Sequence, residues 1–379
     1  MSGPETRRPK LEEEATRENL DIKKILEKIN RSEKGSPHLE VGDRAVEKLS
    51  ELVERCKGDG RKIITIIRCW DKSEDDLKEV VSRLEKMKLF LPELEGAIFA
   101  VDGDHDLRKK TDVNLEAVIK REKPSVAAVP VRINNYSWTA GFNGPAALLS
   151  ETAKDQKISE ENIFIFPLSF DVEFSDDELR ELAQRFKKTG LVTTAKQTGG
   201  EILNEEEKID LSLLATDLVS HPEKLIGKNL RREENFNKLV TLVRNTATIV
   251  PLSEITRMGG YDNSTNEIGG MEDHDLYVRI LIEVLRGSKI LEETENLSEE
   301  EKRKIMRARE KARNLLESLR HPVAYSDLAW NKLKVGAKKE KIKREMAALR
   351  TITERITALA ESDNPDKYKT PEKNRDFNF

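Results

Sequence analysis

The sequence predicts an α/β protein in which a mainly parallel sheet is covered by helices on both faces. Three features carry that reading. Short apolar runs with β-branched residues alternate with stretches of helical period over roughly residues 60–285. Capping signals precede the helical stretches and glycines close them. Acidic clusters fall where the expected strands end, which is where open parallel sheets bind ligands.

Taken in order, residues 1–36 carry balanced charge and few apolar side chains, punctuated by Pro4, Pro9, Gly35 and Pro37. Such a stretch cannot bury enough surface to pack independently and reads as a mobile charged arm, with one transient helix over Leu20–Ile29. Ala45, Leu49, Leu52 and Val53 follow at helical spacing, ended by Gly58 and Gly60. Ile63–Ile67 is the first strong strand. Ser73 then caps a helix whose apolar positions are Leu77, Val80, Val81, Leu84 and Met87. A second strand, Ala97–Val101, runs into the turn Asp102-Gly103-Asp104-His105-Asp106.

The alternation continues through an apolar stretch at Val126–Val131, a helix near Pro145–Ala153 and a strand at Ile163–Phe166. Ser175-Asp176-Asp177-Glu178 is a capping-box signature for a helix stopped by Gly190, after which Leu191–Ala195 reads as a strand. A second capping box, Ser298 to Glu301, opens a solvated helix through about Leu319, supported by the i, i+4 pairs Glu299/Arg303 and Glu300/Lys304. A third helical stretch covers Lys338 to Ala360, and the polar end from Glu361 to Phe379 is expected to fray.

Charge excludes some functions and localises others. Lys and Arg total 67 against 71 Asp and Glu, a net of −4 in a chain of 379 residues that is 36% charged. Attraction of the whole molecule to nucleic acid or anionic membrane is therefore not expected, and any electrostatic function must be local. The strongest local excess is residues 331–350, with eight Lys and Arg against two Glu. That stretch suits peripheral contact with acidic lipid or a protein partner, although a solvated helix packed on the core explains it more simply. Cys56 and Cys69 are too few for a disulfide framework, and the start MSGPETRRPKLEEE lacks the apolar core of a secretory signal, so the expected location is cytoplasmic.

Three acidic clusters carry the candidate chemistry. Asp102 stands at a strand end beside Gly103, where a carboxylate can accept from a base or ribose and the backbone can approach closely. An Asp-Gly turn explains the same residues. Asp171 and Glu173, at i and i+2 after the strand Ile163–Phe166, can share a hard cation such as Mg²⁺ or Mn²⁺; an acidic lead-in to a helix is an equal alternative. The most specific cluster is Gly259-Gly260-Tyr261-Asp262 followed by Glu272-Asp273-His274-Asp275-Leu276-Tyr277-Val278-Arg279. A carboxylate at such a helix start can take a proton from an attacking hydroxyl, or simply complement the helix dipole.

The string GGYD followed ten residues later by EDHDLYVR resembles the GGFDE…EDxDLxxR signature of GT-A fold glycosyltransferases, family 2 in particular. The other clusters fall in that family's order. Ile63 to Asp71 resembles its opening strand and turn, with Trp70 and Asp71 at the aromatic and polar places. Phe99 to Asp106 resembles VVDDGSTD, keeping Asp102, and Gly141-Phe142-Asn143 falls at the Gly/Asn segment near the nucleotide. The DxD motif departs from the pattern. Ser169-Phe170-Asp171 replaces its first Asp by Ser, or Asp171-Val172-Glu173 serves as a shifted D-x-E. The family's Pro-Thr turn is also replaced, by Arg68-Cys69.

The resemblance covers about Arg61–Trp330 and implies a glycosyltransferase domain over 37–330 with a charged helical insertion near 292–319, followed by a basic helical tail over 331–379. It implies inverting transfer from a UDP- or GDP-sugar, with Asp273 as general base and Glu272 orienting the acceptor. Trp70, Asp71, Asp102 and Asn143 would bind the nucleotide. Asp171, with Glu173 or His321, would hold Mn²⁺ or Mg²⁺. The competing reading is a degenerate member of the fold that binds without turnover, which Ser169 favours. A nucleotidyltransferase would need a glycine-rich loop after the first strand, and Arg68-Cys69-Trp70-Asp71-Lys72 has none.

Overall fold

The computed structural model describes residues 22–33, 36–102, 105–134, 137–196, 246–268, 272–292, 297–320, 322–328, part of 332–354, and 364–379. The elements run α1 (Ile22–Ile29), β1 (His38–Glu40), α2 (Asp43–Glu54), β2 (Lys62–Trp70), α3 (Glu74–Phe90), β3 (Leu94–Asp102), α4 (His105–Glu122) and β4 (Ala127–Asn134). They continue with α5 (Ala140–Asp155), β5 (Ile163–Leu168), β6 (Val172–Glu173), α6 (Asp176–Thr189), β7 (Val192–Lys196) and β8 (Thr246–Pro251). Last come α7 (Leu252–Arg257), α8 (Glu272–Glu292), α9 (Glu299–Arg320) and β9 (Val323–Asp327).

Among the described residues the strands form one sheet in the order β1-β4-β3-β2-β5-β8-β7-β9-β6. Its centre, β4-β3-β2-β5, is parallel. The flanks differ: β1 against β4, β5 against β8, β7 against β8 and β6 against β9 are antiparallel while β7 and β9 pair in parallel, so the expected mainly parallel sheet is mixed. Apolar periodicity marks a strand without giving its direction, and β1, β8 and β9 are too short or too polar to stand out.

Strict alternation along β2 feeds two cores. Ile64 and Ile66 join a layer with α1, α2, α5, α7, α8 and the C-terminal segment, whereas Ile63, Ile67 and Cys69 join a layer with α3, α4 and α6. Cys56, in the first layer, has its thiol pushed up to about 12, chiefly by burial, so it is a packing residue. The helix signals act as read. Ser73 and Asp76 form a capping box on α3, whose five expected apolar positions are its buried ones. Ser175 and Glu178 form another on α6, and Gly190 ends that helix with φ 73°.

The described residues near both ends depart from expectation; residues 1–21 of the expected arm and 361–363 of the expected frayed end lie outside the described residues. Ile25 and Ile29 of α1 are buried against the core, and Lys28 pairs with Glu151 of α5. Residues 364–379 do not fray: Tyr368, Thr370, Asp376 and Phe377 are buried, and the Asn378 amide donates to the Ile29 carbonyl at 2.9 Å. Low apolar content forbids independent packing. It does not forbid docking a few well-placed side chains on a surface formed elsewhere in the chain.

Candidate functional site

The chain passes β2–β3–β4 toward one edge of the sheet and then returns to place β5 on the other side of β2. Strand order therefore reverses at β2, and ligands of open α/β sheets bind beyond the carboxyl ends of the strands at such a point. Trp70, the last residue of β2, pairs in register with Asp102, the last residue of β3, and is 64% exposed. Asp71 turns the chain with a left-handed φ of 42°, and its carboxylate accepts from Lys110 of α4 at 3.0 Å. Lys72 Nζ lies 4.2 Å from the Phe170 ring centroid, so the turns after β2 and β5 meet. Asp171, half-buried in the second turn, accepts from the Leu328 amide through its carbonyl at 3.0 Å, and Glu173 is exposed on β6. Trp70, Asp71, Asp102 and Asp171 thus share one end of the sheet.

Sequence reasoning missed two residues there. Arg68 stacks on Trp138 at 3.7 Å and on Phe142 at 4.5 Å, and donates to the Trp138 carbonyl at 3.3 Å. Trp138 remains 55% exposed, a second aromatic beside this end of the sheet. An indole in a polar loop followed by glycine was the available signal. Asn143 lies elsewhere. It is fully buried, its Oδ1 accepts from the Tyr261 amide at 2.8 Å, and its Nδ2 donates to the Tyr261 carbonyl at 2.9 Å and to Asp376 at 3.1 Å. Its amide is committed inside the protein.

The glycine-acidic motif folds as one unit. Gly259 and Gly260 take φ of 71° and 77°, and a Cβ on Gly260 would lie 2.5 Å from the Phe379 ring and 2.6 Å from Asn143 Oδ1. Buried Arg279 donates to Asp275 at 2.8 Å, to the Gly260 carbonyl at 3.2 Å and to the Tyr368 carbonyl at 2.9 Å. Thr370 Oγ1 also donates to the Gly260 carbonyl, at 2.7 Å. Asp262 accepts from the Ser264 amide at 2.9 Å and from Asn374 at 3.3 Å. Glu272 and Asp273 occupy the first two positions of α8, and Tyr277 farther along α8 donates to the Thr248 carbonyl of β8 at 2.7 Å.

Asp376 completes the support. Its carboxyl group accepts from Ser137 at 3.2 Å, Thr139 at 2.5 Å, Asn143 at 3.1 Å and Asn263 at 3.4 Å. Burial pushes its pKa up, against the lowering effect of those hydrogen bonds.

A divalent cation needs several converging hard donors. Asp171 and Glu173 would supply at most two, and among the described residues no group of three His, Cys, Asp or Glu side chains is placed to hold a metal. His321 lies outside the described residues. The basic stretch 331–350 is described only in part, with Lys338, Lys341, Lys343 and Arg344 in helix, and no described helix is long and apolar enough to cross a membrane.

No family model matches the chain, and no curated protein matches it. Among solved structures it is similar to the crystal structure of S. aureus TarS 1–349, with 12% identity over 80% of this chain and 93% of that one, at a TM-score of 0.25.

Proposed function

We propose that this protein transfers a sugar from a nucleotide-diphosphate donor, a UDP- or GDP-sugar, to an acceptor hydroxyl with inversion at the anomeric carbon. The observation that carries the reading is the joining of the two motif halves: Arg279 of the EDHDLYVR segment holds both Asp275 and the Gly260 carbonyl of the GGYD segment. That contact supports reading the two segments as one unit beside the start of α8. In this reading Asp273 removes the acceptor proton and Glu272 orients the hydroxyl. Trp70 and Asp102 hold the base, with Asp71 beside them. Mn²⁺ or Mg²⁺ on Asp171 and Glu173 belongs to the proposal, and no step here depends on it.

The test is a nucleotide-sugar panel, read by thermal shift and then by transfer to candidate acceptors. Asp273→Asn is expected to reduce transfer on the order of 10²- to 10⁴-fold, the usual weight of a general base, while donor affinity stays nearly unchanged. Full turnover in the variant overturns the base assignment. Donor affinity that is equal with Mn²⁺ and with chelator removes the metal from the proposal. The exposed Ser169, at the place of the first DxD aspartate, favours binding without turnover. A donor that shifts the melting temperature but is never transferred would select that second reading.

A further inference from the structure

We propose that a cavity at the outer edge of the sheet binds a small ligand carrying a phosphate group on an apolar body. The cavity measures about 670 Å³, within the range of small-molecule sites. It lies beside β4, two strands away from β2, and so is separate from the point at β2 where the strand order reverses. Its origin is in the strand lengths. β1 pairs only with residues 132–134 of β4, so the outer edge of β4 is unpaired by β1 from Ala127 to Val131. Pro130, which has no N–H to offer a neighbouring strand, stands in that stretch. Val129, Val131 and Ile133 face the core shared with α2, while Pro130 and Arg132 line the cavity.

The walls come from α4 and from the first turns of α2. Arg44, Lys48, Lys120 and Arg132 contribute four cations against the two carboxylates of Glu40 and Glu116. Four cations against two carboxylates leave the lining net positive, and guanidinium and ammonium groups together suit phosphate oxygens. The floor and sides between these charges are apolar: Ala45, Val113, Ala117, Ile119 and Pro130. Ala45, Ala117, Ile119 and Pro130 beside the cations offer an apolar body a contact that inorganic phosphate would not use.

The full-length protein is titrated calorimetrically with hexyl phosphate, inorganic phosphate and hexanol. Hexyl phosphate is expected to bind at least about five-fold more tightly than inorganic phosphate, since each buried methylene adds affinity, and hexanol not at all. Arg44→Glu with Lys120→Glu, both at exposed positions, is expected to weaken hexyl phosphate binding at least about ten-fold, whereas Arg44→Lys with Lys120→Arg retains it. Co-flotation with phosphatidic acid vesicles, lost in the charge-reversed variant, would assign the phosphate to a lipid headgroup; soluble binding without co-flotation assigns it to a free ester. The proposal is overturned if the charge-reversed variant binds unchanged, or if hexyl phosphate does not bind. It is also overturned if UDP or GDP competes with hexyl phosphate, which would place the phosphate at the proposed nucleotide site. None of these results depends on whether sugar transfer occurs.

Discussion

Asp376 gathers four donors from two separate segments, Ser137, Thr139 and Asn143 around the start of α5, and Asn263, and through Asn143 it reaches the backbone of Tyr261. Removing the carboxyl leaves buried donors without an acceptor, which costs the desolvation of each rather than one average hydrogen bond. Asp376→Ala is expected to lower stability by about 2 kcal/mol at pH 7 and to speed amide exchange at Gly259–Asp262. The pH dependence has a definite sign. Burial raises the folded pKa above its ordinary value of 3.8, so the stabilising form is the protonated one. That contribution is lost as pH rises through the folded value and recovered below it, so the cost of Asp376→Ala should grow as pH falls from 7 toward 4. Urea unfolding of both proteins across that range measures it, and a difference that shrinks on acidification contradicts the assignment. None of this was legible in the sequence, where Asp376 is one acid in a polar tail; its weight comes from partners more than 100 residues away.

Elements whose signals are local were the readable ones. The Ser73 and Ser175 capping boxes, the apolar face of α3 and the Gly190 stop are short-range chemistry, and each appears where its residues dictate. Ser175 offers a clean measure because it is exposed and makes its cap with Glu178 alone: its amide donates to the Glu178 carboxylate at 2.6 Å and its Oγ accepts from the Glu178 amide at 3.3 Å. Ser175→Ala should cost about 1 kcal/mol, and Ser175→Asp should restore most of it. Denaturant midpoints at constant slope report both, and an unchanged Ser175→Ala protein would show that packing alone holds the start of α6. Strand direction was not readable, because alternation is the same in both directions. For that reason the placement of Trp70, Asp71, Asp102 and Asp171 at one sheet end followed from strand order, while the antiparallel flank β5-β8-β7 did not.

At the scale of the molecule the segment just after α1 and the segment 364–379 meet beside the motif. Arg31, just after α1, donates to the carbonyls of Glu372 and Arg375, the latter at 2.8 Å, while the Thr370 amide donates to the Met258 carbonyl at 2.7 Å. Composition assigns residues 361–379 to a frayed end, and removing a frayed end should change stability by no more than about 0.5 kcal/mol. The packing says otherwise. Tyr368 and Phe377 are 2% and 0% exposed, and Phe377 lies so close to Gly144 that a Cβ there would sit 3.0 Å from its ring. Burying one large aromatic is worth about 3–5 kcal/mol by truncation, so losing both, with the Asp376 network, approaches the whole stability of a typical domain at about 5–15 kcal/mol. Deletion of 364–379 should therefore unfold the protein or lower its stability by at least about 6 kcal/mol, and the single change Phe377→Ala by about 3 kcal/mol. The point variant keeps the comparison measurable if the deletion cannot be purified. Thermal and urea unfolding decide between the two magnitudes, since a deletion that melts with the intact protein restores the frayed end and leaves the Gly259–Gly260 loop held without the C-terminal segment, by Arg279 and by its amides' bonds to the Thr256 and Ile255 carbonyls.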